Sequence, residues 1–152
     1  MFTNFEIMDE LNAKIEFHTH EVYFTLKNRK KLKFFIQSIF KEEIGKAASL
    51  SYVFCTDKYL VKMNRQYLDH DYYTDIITFD LSESSDFIIG EVYISIDRVK
   101  ENASLNNTSF THELHRVIIH GALHLSGQND KTPVELIKMR NKEDFYLSRY
   151  FS

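Results

Sequence analysis

Cysteine is almost absent: Cys55 stands alone in 152 residues, with one proline, four glycines and no tryptophan. A single thiol excludes an internal disulfide, so packing must hold the fold, and a reducing cytoplasm suits such a chain. So few prolines and glycines exclude a collagen-like or low-complexity chain and point to one compact unit without linkers or repeats. No apolar run approaches the ~20 residues that cross a bilayer. The opening MFTNFEIMDE is acidic and lacks the charged-then-apolar pattern of a secretion signal. A cytoplasmic protein with no membrane partner is the expectation. The charge is not strongly basic either: it is −3, so any nucleic-acid contact has to come from local patches.

Against these absences stands an apolar content of 43%, enough for a real core in a domain of this length. Alternation over Ile15–Leu26 reads as strand, as do Ser49–Cys55, Ile76–Phe79 and Phe87–Ser95, the last two joined by a polar connection as a plausible hairpin. Asn28 reads as the cap of a helix with Leu32, Phe35, Ile36, Ile39 and Phe40 inward, stopped at Gly45. Asp57 reads as the cap of a second helix, and Asp97–Leu105 as a short third. Thr132-Pro133-Val134-Glu135 predicts a capping box opening the last helix. Helices and strands mix without strict βαβ repetition. The expected class is α+β: a mixed sheet of about four strands with helices packed on it. Two basic clusters stand out, Arg29-Lys30-Lys31-Lys33 and Lys58, Lys62, Arg65, and each reads more readily as a solvated helix face than as an RNA site.

The densest chemistry is HGALHLSGQND, His120 to Asp130. On a helix near the C-terminus, His120 and His124 share one face, one turn apart. The flanking Val117, Ile118, Ile119, Leu123 and Leu125 bury that helix, and a buried imidazole needs a polar partner. Gly127 can end the helix in the left-handed conformation, and the reversal brings Asp130 back toward the pair. Two imidazoles and a carboxylate suit a divalent ion such as Zn2+, one per chain, with a position open for water. Gly121 costs about 1 kcal/mol inside a helix, which suggests close approach of a neighbouring element. His112 and His115, at the start of the same helix, are expected to be exposed.

This run resembles the signature of the YbeY family, H-G-x-L-H-L-x-G-x-D-H, on His120, Gly121, Leu123, His124, Leu125 and Gly127. The family's third histidine falls on Asp130. Thr74-Asp75-Ile76-Ile77-Thr78-Phe79 is similar to the family block T-D/N-V-L-S-F, and Gly90-Glu91-Val92-Tyr93-Ile94 to a further block; Asn64 matches an upstream asparagine. The resemblance runs from about Leu50 onward. It implies a metal-dependent endoribonuclease of ribosomal RNA maturation, one hydrolase domain over residues 1–152, working with small-subunit ribosomal proteins. It makes His120, His124 and Asp130 the metal ligands. Asp130 in place of histidine keeps ligand chemistry and lowers the site's charge by one, so bound water should be less acidic. The family's arginine before the T-D/N block matches Leu68 here, and Arg65 lies one turn earlier.

Asp75 and Glu91 are the candidates for acid–base work, with strand-end cap and exposed strand residue as their blander readings. Asn64, Arg65, Lys62 and Thr74 are the candidate substrate contacts. Tyr72, Tyr73 and Phe79 have the chemistry to stack on bases. A metalloprotease-like hydrolase is one alternative, though Gly121 stands where protease zincins carry their glutamate base. A non-catalytic ribosome-assembly factor pinned by zinc is another, and a metal-free globular domain a third.

Overall fold

The computed structural model describes residues 12–68 and 74–152. Its strands are β1 (Ile15–Thr19), β2 (Ala48–Cys55), β3 (Ile76–Asp80) and β4 (Ile88–Ser95). Among the described residues the helices are α1 (Arg29–Ile44), α2 (Asp57–Leu68), α3 (Ile96–Leu105), α4 (Phe110–Leu125) and α5 (Pro133–Tyr150). The sheet order is β1-β2-β4-β3. β1 and β4 run parallel to β2, while β3 pairs antiparallel with β4 as the expected hairpin, Thr78 opposite Val92. The class is α+β with a mixed four-stranded sheet.

Alternation along the strands decides what each face carries. Leu50, Tyr52, Phe54, Val92 and Ile94 meet Leu32, Ile36 and Phe40 of α1, Ile118 and Leu123 of α4, and Met139 and Tyr146 of α5 in the main core. A smaller cluster uses the other side: Cys55 and Ile77 against Leu60 and Met63 of α2, flanked by Tyr59, Phe79 and Tyr93. The buried Tyr52 hydroxyl donates to the Ile118 carbonyl at 2.9 Å and ties β2 to α4.

Two glycines let α4 lie directly on the sheet. A Cβ at Gly121 would stand 3.0 Å from both Ile76 Cδ1 and Val92 Cγ1. At Gly90 it would meet Leu125 Cδ1 at 2.8 Å and the Phe79 carbonyl at 3.1 Å. The close approach expected at Gly121 is thus made by β3 and β4, and it sets His120 and His124 beside the edge strand β3.

The ends of α4 and α5 fix the loop between them. Ser109 caps α4, accepting from the His112 amide at 3.0 Å. Gly127, at φ +107°, ends it, and the Gln128 amide returns to the Leu123 carbonyl at 3.0 Å. Thr132 and Glu135 form the expected capping box, each side chain accepting from the other's amide at 3.1 Å, with Pro133 opening α5.

Four local expectations need correction. The alternation of Ile15–Leu26 continues as burial of Val22, Phe24 and Leu26, but β1 stops at Thr19, because β2 is ending and Glu21 turns the chain at φ +55°. Asn28 makes no side-chain cap; it starts α1 from a left-handed backbone, φ +57°, a conformation asparagine tolerates. Thr56, not Asp57, caps α2, its hydroxyl accepting from the Tyr59 amide at 3.1 Å. His115 is buried at 6% exposure, stacked on Tyr150, and His112 is half-buried against Phe151, because the end of α5 covers the start of α4.

Candidate metal centre

His120 and His124 project from one face of α4, ring centroids 6.2 Å apart. The loop after Gly127 returns Asp130 to them: its Oδ2 is 3.3 Å from His120 Nε2, and its Oδ1 is 3.9 Å from His124 Nε2. Both imidazoles therefore turn the same nitrogen toward one carboxylate. Thr74, Asp75, Ile76 and Thr78 close the other side of a cavity of about 240 Å³.

The far nitrogens are held as well. His120 Nδ1 lies 2.8 Å from Glu143 Oε2 on α5. Donation of Nδ1–H to this buried carboxylate leaves the Nε2 lone pair facing Asp130, the arrangement a metal-ligating histidine needs. His124 Nδ1 stands 3.4 Å from Thr78 Oγ1. Glu143 is itself fixed by Arg116 at 3.0 Å and Arg140 at 3.4 Å, and Arg116 also grips Asp144 at 2.8 Å.

The electrostatics separate the two rings. Burial works against charging His120, but Glu143, Asp130 and Asp75 outweigh it and hold that imidazole above its ordinary pKa. At His124 burial wins over Asp130, with His120 adding to it, and the pKa falls. Burial also raises the Asp75 carboxyl. A pocket that favours positive charge at His120 favours a cation there too. Among the described residues, no three His, Cys, Asp or Glu side chains form a ready-made metal cluster. The donors meet pairwise through Asp130, and as a set, two imidazole nitrogens and a carboxylate, they fit a borderline divalent ion.

Other sequence candidates divide between this cleft and elsewhere. Thr74 and Asp75 are in it; the Thr74 hydroxyl donates to the Ile76 carbonyl at 3.3 Å, and Asn102 reaches Asp75 Oδ2 at 3.5 Å. Glu91 is not. One residue out of phase with Gly90 and Val92, it points through the opposite face of the sheet, hydrogen-bonded by the Tyr93 hydroxyl. Lys62 shares that other pocket with Glu91, Phe79 and Tyr67. Arg65 lines a third, beside Asp57 and Arg98. Both basic residues are carried away from the metal cleft because α2 packs on the sheet face opposite α4. Asn64 is buried and partnered within the fold. Leu68 is 40% exposed, and Tyr72 and Tyr73 lie outside the described residues.

Glu143 escaped the sequence reading. Its signal was its phase: it falls with Met139, Tyr146, Leu147 and Tyr150 on the buried side of α5, where a carboxylate requires a partner. A larger cleft of about 330 Å³ opens from His120, Asp130 and Asp75 toward α3 and α5, lined also by Asn102, Asn106, Glu113, Arg116 and Arg140.

Comparison with known proteins covers most of the chain. A family model described as Endoribonuclease YbeY matches residues 14–151. Endoribonuclease YbeY of Cytophaga hutchinsonii is 49% identical over 134 residues, covering 88% of this chain and 94% of that protein. Endoribonuclease YbeY of Amoebophilus asiaticus is 42% identical over 135 residues, covering 89% and 92%. A solution structure of a Thermotoga maritima protein superposes with a TM-score of 0.62 at 29% identity, over 90% of this chain and 89% of that one.

Proposed function

Because this chain belongs to the YbeY endoribonuclease family, we propose that it is a zinc-dependent, single-strand endoribonuclease acting in ribosomal RNA maturation, at the 3′ end of 16S RNA, and in ribosome quality control. The observation that carries the reading is the convergence of His120 Nε2 and His124 Nε2 on Asp130, with Glu143 behind His120. One Zn2+ per chain would be held by His120, His124 and Asp130. Its partners are ribosomal RNA and small-subunit ribosomal proteins, in the cytoplasm.

Such an ion, when bound, supplies Lewis acidity at a phosphodiester. The chain's own residues do the rest. Glu143 keeps the His120 proton on Nδ1, and Thr78 orients the His124 ring. Asp75 is the group placed to move a proton: burial raises its carboxyl, and Asn102 steadies Oδ2. It would take the proton of the attacking oxygen or return one to the leaving oxygen. Gly121 offers no side chain at the position of a protease base, which favours RNA over peptide as substrate.

Elemental analysis and cleavage of a single-stranded RNA form the test. Wild type is expected to carry about one zinc per chain and to lose cleavage in chelator. Asp130→Ala is expected to lose metal affinity by orders of magnitude while far-UV circular dichroism stays unchanged, since Gly127 and Thr132 still set the loop. Equal zinc in both proteins would remove Asp130 from the ligand set. RNA processing that survives loss of the ion would favour a purely structural role.

A further inference from the structure

We propose that Arg140 binds a substrate phosphate beside the metal cleft. The proposal rests on the endoribonuclease reading and assigns one contact within it. Three observations carry it. First, Arg140 lines the cleft that also contains His120, Asp130 and Asp75, together with the side-chain amides of Asn102 and Asn106. The same cleft is lined by carboxylates Asp75, Glu113, Asp130 and Glu143, so a polyanion entering it needs a cation at its rim.

Second, the cleft's other guanidinium is committed. Arg116 is 15% exposed in its side chain and binds two carboxylates, Glu143 at 3.0 Å and Asp144 at 2.8 Å. Arg140 is 58% exposed and touches Glu143 Oε1 at 3.4 Å, an oxygen that Arg116 already takes at shorter range. Exchanging that long contact for a phosphate costs Glu143 little and gives the guanidinium a bidentate anion. Third, the basic residues of α2 do not reach this cleft: Lys62 and Arg65 line other pockets, and Leu68 brings no charge.

Arg140 is thus a binding residue for the RNA backbone, and its effect belongs in KM and in salt dependence. The experiment compares wild type, Arg140→Gln and Arg140→Lys with zinc on one short single-stranded RNA, at several salt concentrations. Arg140→Gln is expected to raise KM about tenfold, to leave kcat within about threefold and to reduce the salt slope of binding by about one unit. Arg140→Lys is expected to restore the salt slope but only part of the affinity, because a point charge replaces a fork. Unchanged KM and salt slope in Arg140→Gln, with wild type active, would overturn the proposal alone. A kcat loss at constant KM would overturn it too, by placing Arg140 elsewhere in the reaction. Wild type that neither binds nor cleaves the RNA would instead sink the endoribonuclease reading, and this contact with it.

Discussion

Glu143 is the residue on which the proposed metal centre turns, through the ring of His120 and not as a ligand. Its Oε2 fixes the His120 tautomer at 2.8 Å, and its Oε1 is shared by two arginines. Glu143→Gln keeps the shape but removes the charge and puts a donor where Oε1 or Oε2 accepted. Zinc affinity is expected to fall 10–100-fold, the usual range for a carboxylate behind a metal-bound histidine. Asp144→Asn, at the 56% exposed side chain that meets the other prong of Arg116, is expected to leave affinity unchanged. Competition titration against a chromogenic chelator reads both, and equal losses in the two variants would deny Glu143 its specific role. At this scale, the histidine pair and Asp130 were legible because helical spacing and a glycine stop are local. Glu143 was not: its partner lies 23 residues away, and only packing brings α5 over α4. Glu91 misled because a shared block suggests proximity, whereas one step along a strand reverses the face.

Helix α4 is seated on β3 and β4 by absent side chains. Gly90→Ala would drive a methyl to 2.8 Å from Leu125 and 3.1 Å from the backbone carbonyl of Phe79, which cannot rotate away. A loss of about 1–3 kcal/mol is expected. Gly121→Ala is more finely balanced. Alanine gains about 1 kcal/mol of helix propensity. Its methyl meets Ile76 Cδ1, a flexible end, and Val92 Cγ1, a stiff one, both at 3.0 Å. We expect a net loss near 1 kcal/mol, smaller than at Gly90, with zinc affinity reduced as α4 is lifted from β3. Urea unfolding of metal-free protein ranks the two, and a stabilised Gly90→Ala would contradict the close seating. The capping box gives an independent handle: Thr132→Ala is expected to cost about 1 kcal/mol and to loosen the loop that carries Asp130. The elements themselves were largely readable, since strand alternation and the Thr132–Glu135 cap are written in neighbouring residues. Where β1 ends was not, because that depends on where β2 stops offering partners.

Across the molecule, stability is held by groups far apart in the chain whose protonation differs between folded and unfolded states. Glu43 of α1 is the clearest. Burial pushes its carboxyl up, but Lys142, the Tyr146 hydroxyl at 2.6 Å and Gln128 at 3.3 Å outweigh this and hold it below its ordinary pKa. As pH falls through the ordinary carboxylate range, the unfolded chain binds the proton first, so this stabilisation is present above about pH 4.3 and is lost below it. His115 adds a step at higher pH. Burial depresses its pKa, against a hydrogen bond to the Thr111 carbonyl at 2.7 Å. The unfolded histidine therefore protonates near pH 6.5 while the folded one resists, and stability begins to fall as pH drops below about 6.5. Urea denaturation of metal-free protein at a series of pH values should show both steps. Glu43→Gln is expected to be less stable at pH 7 and to flatten the lower step, because α1, α5 and the loop after α4 all meet at that carboxylate. His115→Gln is expected to shrink the upper step, to which His124, also depressed by burial, contributes, and to leave the lower one. Curves that run parallel to wild type in both variants would place the acid sensitivity in other groups, since a lost packing contact shifts a curve without changing its slope against pH.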